Sequence, residues 1–246
     1  MANSVLPARR EPVTIRTSDG LHLVGELALP ADQPPLATII CVHPLPTHGG
    51  MMDSHLLRKM AWRLPALAQV AILRFNTRGT TSAAGTSTGE FDEARGEQLD
   101  LAAAVAFAAA AGLPTPWLVG WSFGTDVILK FGASDPNRLR DIRGAILLSP
   151  PLRYTSDEEL QRWSTSHARL VCIVPELDDY LPAEPAQERF AQVPQAEVIV
   201  VPDGRHLWVG ERFVRIVLDA VTAVVVPDRA PLPTDWAGPM TRWSDL

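Results

Sequence analysis

Short apolar runs alternate with segments of helical spacing along most of this chain, and this alternation limits the fold more than any other sequence feature. The run ATIICV at residues 37–42 has no polar alternation, which is typical of a strand covered on both faces. Five later runs predict further strands, at residues 70–75, 117–120, 144–149, 170–174 and 196–201. Six helices are predicted between and after them, at residues 54–64, 91–111, 124–133, 157–166, 185–192 and 209–225. Strands and helices in this order predict an α/β fold with a mostly parallel central sheet and helices on both faces.

The beginning of the chain has a different pattern. Two segments of alternating polarity, VTIRTS and LHLVGELALP, are joined by Asp19-Gly20, a strong signal for a tight hairpin turn. We therefore predict an antiparallel N-terminal hairpin that brings the sheet to about eight strands.

The limits of the first predicted helix rest on two residues. Asp53 is the predicted N-cap, because its carboxylate can accept a hydrogen bond from a free backbone N–H. Pro65 is the predicted end, because proline lacks the N–H that a helix interior requires.

One α/β domain is predicted over residues 1–226, since chains of this length commonly fold around a single sheet. Residues 227–246 contain four prolines and no helical or strand period, which predicts an irregular C-terminal tail. Trp236 and Trp243 in this tail would expose a large apolar area. At least one of them is therefore expected to pack on the domain or on a second copy, so a homodimer through the tail is possible.

Composition and charge exclude several classes of protein. The 22 basic and 28 acidic side chains give a net charge of −6, which does not suit nucleic-acid binding. The longest apolar stretch, residues 101–113, is too short to cross a bilayer, and MANSVLPARREP lacks the apolar segment of a secretory signal. Cys41 and Cys172 lie in apolar runs and are predicted to be buried and unpaired, which fits a cytoplasmic protein. We predict no cofactor and no membrane partner.

The segment Gly120-Trp121-Ser122-Phe123-Gly124 follows a predicted strand and precedes a predicted helix. Strand, G-x-S-x-G and helix in this order are typical of a nucleophile elbow, which exposes the serine hydroxyl on a strained turn. The following helix directs its free N–H groups toward the place where an oxyanion would form. Because a bare G-x-S-x-G is common, the hypothesis that Ser122 is a nucleophile depends on this context.

A serine hydroxyl needs a neighbouring base to accept its proton. In α/β-hydrolases the chain order is Ser, then Asp or Glu, then His. His206 follows the last predicted strand and precedes the last predicted helix, whereas His167 precedes the strand that should deliver the acid. We therefore predict His206 as the base.

The acid is expected in the loop of VPELDDYLP, which offers Glu176, Asp178 and Asp179. The α/β-hydrolase pattern of a strand, a short turn, an acid and a proline a few residues later implies Asp178 as the acid. Asp179 remains the alternative, because a one-residue adjustment of the loop would exchange the two.

The loop HPLPTHGG at residues 43–50 follows the strand that should supply the second oxyanion donor. Pro44 has no N–H, so the predicted oxyanion donors are the backbone N–H groups of Leu45 and Phe123.

Three histidines near this loop, His43, His48 and His55, raise the question of a metal site. Their spacing is not that of a known zinc motif, and no cysteine cluster accompanies them. We predict no metal site and expect these imidazoles to shape the loop through bonds to backbone groups.

Four segments, HPLPTHGGMMD, LRFNTRG, FDEARGE and GWSFG, resemble the small bacterial α/β-hydrolase family marked by HPHPxxGG and RFNFRG. The resemblance covers about residues 37–131 and implies an α/β-hydrolase fold with little or no lid. It also implies a carboxyl ester or related acyl substrate. The sequence departs from the family pattern at Leu45, Pro175 and Arg205.

Arg78 lies in the LRFNTRG segment, at the predicted end of a strand near the pocket. We predict an ion pair with Glu90 or Asp92, because such pairs commonly fix loops. Binding of a substrate carboxylate is the alternative.

These patterns together predict a serine hydrolase that acts on a small-molecule acyl substrate. Phe123, Trp121 and Leu45 predict apolar surroundings for the acyl group, and about twenty residues between two later strands leave no room for a large cap. A catalytically silent binding protein with this fold is the alternative from another class. Within the hydrolases, a thioesterase or a peptidase remains open.

Overall fold

The computed structural model describes residues 4–245. Its strands are β1 (Ser4–Val5), β2 (Arg9–Arg16), β3 (His22–Leu29), β4 (Ala37–Val42), β5 (Val70–Phe75), β6 (Thr81–Ser82), β7 (Gly85–Thr86), β8 (Trp117–Trp121), β9 (Gly144–Leu148), β10 (Arg169–Pro175), β11 (Ala196–Val201) and β12 (Thr241–Arg242). Its α-helices are α1 (His55–Ala68), α2 (Glu97–Ala110), α3 (Phe123–Ser134), α4 (Asp157–Ser164), α5 (Ala183–Phe190) and α6 (Glu211–Val225). No helix in the described range has the length and apolar character needed to cross a membrane.

Eight strands form the central sheet, in the order β11-β10-β9-β8-β4-β5-β3-β2. The pairs from β11 to β5 are parallel, whereas β3 is antiparallel to both β5 and β2. The predicted parallel sheet with its antiparallel N-terminal hairpin is therefore confirmed. Most element limits agree with the prediction within a few residues, but α2 begins at Glu97, six residues later than expected.

The core has two halves, one on each face of the sheet. Alternate residues of β4 point to opposite faces, so Ile40 and Val42 join one cluster and Ile39 and Cys41 join the other. Helices α2 to α5 cover the first face, and α1 and α6 cover the second. Cys41 and Cys172 are buried and free, as predicted.

The connection from β9 to β10 contains the eight-residue helix α4 between short loops. Within residues 4–245 no lid is inserted in this connection, as predicted.

Helix α1 differs from its prediction at both ends. It continues past Pro65, and the carbonyl of Ala61, which Pro65 cannot bond, accepts instead from the Arg10 guanidinium at 3.2 Å. A long-range side chain thus replaces the missing hydrogen bond. Asp53 does not cap the helix, because its carboxylate pairs with the buried Arg74 at 2.8 Å.

The C-terminal segment was predicted to be irregular, but β12 within it pairs with β1. The expectation that at least one tail tryptophan packs on the domain is confirmed, because Trp236 packs against the cluster formed with α1 and α6. Trp243 is half exposed, and its ring lies 6.4 Å from that of Trp62.

Arg78 forms a buried ion pair, but not with its predicted partners Glu90 and Asp92. Its guanidinium bonds Asp100 at 2.8 Å and Asp19 at 3.1 Å, and its backbone N–H also donates to Asp100. The Asp100 side chain is fully buried, and burial raises the pKa of its carboxyl while the bonds from Arg78 oppose that rise. The pair fixes the loop after β5 to α2.

We expect Arg78→Met to lower the free energy of unfolding by about 3–5 kcal/mol, because it leaves the Asp100 carboxylate buried without its cation. Methionine keeps the volume of the aliphatic stem, so the loss reports the charge. Arg169→Met is the matched control, since its ion pair with Glu197 is about half exposed and is worth about 1 kcal/mol or less. Urea unfolding of the three proteins measures the difference, and equal losses in both variants would contradict the prediction.

Candidate active site

Ser122 lies on the sharp turn between β8 and α3, with φ 53° and ψ −118°. A non-glycine residue rarely adopts a positive φ, so the turn is strained. The flanking residues must be glycines, because neither position has room for a Cβ atom. A Cβ at Gly120 would lie 2.6 Å from the carbonyl oxygen of Gly124, and a Cβ at Gly124 would lie 2.2 Å from that of Val42. The G-x-S-x-G segment thus forms the predicted elbow.

Ser122, His206 and Asp178 lie in one hydrogen-bonded row. The Ser122 Oγ is 2.8 Å from His206 Nε2, and His206 Nδ1 is 2.9 Å from the nearer oxygen of Asp178. A carboxylate can only accept, so Nδ1 carries the ring proton and Nε2 is left to accept the serine hydroxyl. The predicted residues come from three separate loops, after β8, β10 and β11.

The structure brings Asp178 to His206 and leaves Asp179 exposed. One carboxylate oxygen of Asp178 also accepts from the backbone N–H groups of Tyr180 at 2.8 Å and Leu181 at 3.2 Å. These two bonds orient the Asp178 carboxylate toward the imidazole of His206.

Three groups outside the row hold His206. Its carbonyl accepts from the Trp121 indole N–H and from the Ser149 hydroxyl, each at 3.1 Å. The Tyr180 ring packs against the imidazole with centroids 4.4 Å apart. Sequence reasoning missed Ser149 and Tyr180, which no motif marks. It also misplaced Trp121 in the acyl surroundings, whereas this side chain packs in the core beneath His206.

The predicted oxyanion donors belong to two residues that border the same cavity as the serine. Leu45 and Phe123 both line the cavity that contains Ser122 and His206. Phe123 is the first residue of α3, so its N–H has no acceptor within the helix. Among residues 4–245, the N–H of Leu45 donates to no protein acceptor. The two donors can therefore serve a negatively charged oxygen.

His43 holds the loop that carries Leu45. Its Nε2 accepts from the Thr77 N–H at 3.0 Å, so Nδ1 carries the proton and donates to the Pro44 carbonyl at 2.7 Å. Burial lowers the pKa of His43 to about 4, which keeps the ring neutral. The predicted bonding of imidazoles to backbone groups is confirmed for His43 and for His55, which bonds the Leu207 carbonyl, but His48 pairs with the Thr47 hydroxyl instead.

The cavity beside Ser122 has a volume of about 130 Å³ and is mostly apolar. The Phe123 ring in its wall lies 5.8 Å from the ring of Tyr154, which also lines the cavity, and 5.3 Å from the ring of Phe91, which does not. The lining residues are Pro44, Leu45, His48, Ser122, Phe123, Asp126, Pro151, Arg153, Tyr154, Tyr180, His206 and Leu207.

Asp126 is the one carboxylate in this lining. Its side chain is fully buried, and its Oδ1 accepts from the Thr155 hydroxyl at 2.6 Å and the Tyr154 N–H at 3.2 Å. Burial raises the pKa of Asp126 to about 6, although these hydrogen bonds oppose the rise in part. Asp126 could not be predicted from the sequence, because no pattern separates it from other acidic residues near a helix start.

Comparisons with known proteins place the fold. No family model and no curated protein sequence matches the chain. A lidless α/β serine hydrolase from Xanthomonas campestris is 25% identical and superposes with a TM-score of 0.71, over 94% of this chain and 99% of that chain. A serine hydrolase homologue from Coxiella burnetii is 22% identical with a TM-score of 0.71, over 87% of this chain and 96% of that chain.

An esterase from Pyrococcus furiosus is 20% identical with a TM-score of 0.68, over 87% of this chain and 92% of that chain. These three structures are described as an α/β serine hydrolase, a serine hydrolase homologue and an esterase, and each covers 87% or more of this chain. This chain has the α/β-hydrolase fold, in the form without a lid.

Proposed function

We propose that this protein is a serine hydrolase that cleaves small carboxyl esters, or related acyl substrates, through a Ser122–His206–Asp178 triad. The observation that carries the proposal is the position of one imidazole between the two other side chains. His206 contacts the Ser122 Oγ at 2.8 Å and Asp178 at 2.9 Å. This is the arrangement that general-base activation of a serine requires.

In the first half of the reaction, Ser122 Oγ attacks the substrate carbonyl carbon while its proton passes to His206 Nε2. Asp178 holds the ring and stabilises the imidazolium that forms. The carbonyl oxygen becomes negatively charged and accepts from the N–H groups of Leu45 and Phe123. The bond to the leaving alkoxide then breaks, and His206 returns its proton to that oxygen.

In the second half, a water molecule attacks the acyl-enzyme while His206 accepts its proton. The bond between the acyl carbon and the Ser122 Oγ breaks, and the proton moves from His206 to the serine. The products are a carboxylic acid and the regenerated enzyme. No step calls for a cofactor.

The cavity supports a short acyl group. Its volume of about 130 Å³ is close to the engineered cavity of about 150 Å³ that binds benzene, so it suits roughly four to six heavy atoms. The absence of a lid in the described chain leaves longer substrates without a second covering surface.

Rates on matched substrates test this proposal. We expect kcat/KM to be higher for a butyryl ester than for the corresponding amide, and to fall from butyrate to octanoate esters. A butyryl thioester tests the thioesterase alternative, which predicts a higher kcat/KM for the thioester than for the ester. Faster cleavage of the amide, or a lack of hydrolysis of all of these substrates, would contradict the proposed function.

A further inference from the structure

Asp126 lies in the first turn of α3, four residues after the nucleophile. Both residues border the cavity beside the Phe123 ring. A carboxylate therefore stands next to the position of the substrate acyl group.

The two oxygens of this carboxylate have different surroundings. Oδ1 accepts from the Thr155 hydroxyl and the Tyr154 N–H. Oδ2 is buried and has no hydrogen-bond partner within residues 4–245. A buried carboxylate oxygen without a donor is costly, and such atoms in folded proteins require an explanation.

No cationic side chain within residues 4–245 donates a hydrogen bond to Asp126 Oδ2. Lys130 is the cation that lowers the pKa of Asp126, but its ammonium bonds Glu159 at 2.7 Å. Arg153 also lines the cavity, but its guanidinium lies over the Tyr154 ring, 5.4 Å from the centroid, and forms no ion pair with Asp126 within residues 4–245. With a pKa of about 6, Asp126 is mostly ionised at pH 7.5 and can only accept hydrogen bonds.

We propose that Asp126 Oδ2 accepts a hydrogen bond from a hydroxyl or amino group on the acyl part of the substrate. The preferred substrates are then esters of short hydroxy or amino acids. This inference rests on the proposed hydrolase function, since it assigns a specificity to that same site. Asp126 is a substrate-binding residue in it and does not take part in proton transfer.

The wild-type enzyme provides the first test. We expect kcat/KM for methyl 2-hydroxybutyrate or methyl 3-hydroxybutyrate to exceed that for methyl butyrate by about 10- to 100-fold, the range for a hydrogen bond to a charged group. The 2-amino and 3-amino esters form the second arm. A larger preference for the amino esters would identify an ammonium as the donor, and a larger preference for the hydroxy esters would identify a hydroxyl.

Asp126→Asn provides the second test. The side-chain oxygen of asparagine can still accept from Thr155 and Tyr154, while its NH₂ group takes the place of Oδ2. The cavity then offers a donor in place of an acceptor. We expect the preference to turn from methyl 3-hydroxybutyrate to methyl 3-oxobutyrate, whose keto oxygen accepts.

Thr155→Val is the matched control, because Asp126 could act indirectly by positioning the loop that carries Tyr154 and Thr155. It removes one bond to Oδ1 but leaves Oδ2 unchanged, so the ratio of hydroxybutyrate to butyrate rates should remain above 10. If this variant loses the ratio as Asp126→Asn does, Asp126 acts by positioning the loop and the inference is wrong.

The possible failures are distinguishable. Ratios within about twofold of one in an active wild-type enzyme would overturn the inference alone, as expected if Oδ2 holds only a water molecule. This comparison does not depend on whether either variant folds. A lack of hydrolysis of every ester by folded wild-type protein would overturn the proposed function and the inference with it.

Discussion

Replacing Ser122 by alanine is expected to lower kcat for ester hydrolysis by about 10,000- to 1,000,000-fold, the range observed when the nucleophile of a serine triad is removed. The reason is chemical, because alanine has no oxygen to attack the carbonyl and no acyl-enzyme can form. Steady-state kinetics with a butyryl ester measure the loss. A labelled fluorophosphonate measures the same site directly, since the serine oxygen displaces fluoride and remains bound to phosphorus.

Ser164→Ala is the matched control. Its hydroxyl donates to the Gln161 carbonyl on α4 and takes no part in the proposed reaction. We expect this variant to keep both hydrolysis and labelling. If the wild-type protein neither hydrolyses the ester nor takes the label, the chain is a catalytically silent protein with this fold.

Asp178→Asn is expected to lower kcat by about 10,000-fold with little change in KM. An amide at this position no longer provides a charge for the imidazolium, and its NH₂ group favours the wrong tautomer of His206. The N–H groups of Tyr180 and Leu181 keep the side chain in the same place, so the loss reports chemistry more than position.

Asp179→Asn tests the alternative that the sequence left open. Asp179 is exposed and lies one residue further along the same loop. We expect kcat within about twofold of the wild-type value, and kinetics of the two variants at one pH decide between them. A large loss in Asp179→Asn with little loss in Asp178→Asn would reverse the assignment of the acid.

The sequence was sufficient for the architecture because the architecture depends on local patterns. Apolar runs such as residues 37–42 and 170–174 specify strands buried on both faces, and the helical segments between them specify parallel connections. The elbow was also readable, since the close backbone contacts at Gly120 and Gly124 leave no room for a Cβ and so require glycine on both sides of the serine.

Sequence reasoning failed where a distant side chain replaced a local rule. Pro65 does not end α1, because Arg10 bonds the carbonyl that proline leaves free. Arg78 pairs with Asp100 instead of the nearby Glu90 or Asp92, because the tertiary fold brings the first turn of α2, which carries Asp100, against the loop of Arg78.

The amino-acid sequence by itself determined the order of strands and helices, the strained serine turn and the chain order of the candidate serine, acid and histidine. Those features follow from hydrophobic period and from the backbone needs of glycine and proline, which act between neighbours in the chain. Only the tertiary structure decided that Asp178 and not Asp179 meets His206, that Ser149 and Trp121 hold the histidine carbonyl, and that Asp126 borders the cavity beside Ser122. Such choices depend on distances of a few ångströms between loops that are far apart in sequence, and no local pattern specifies them.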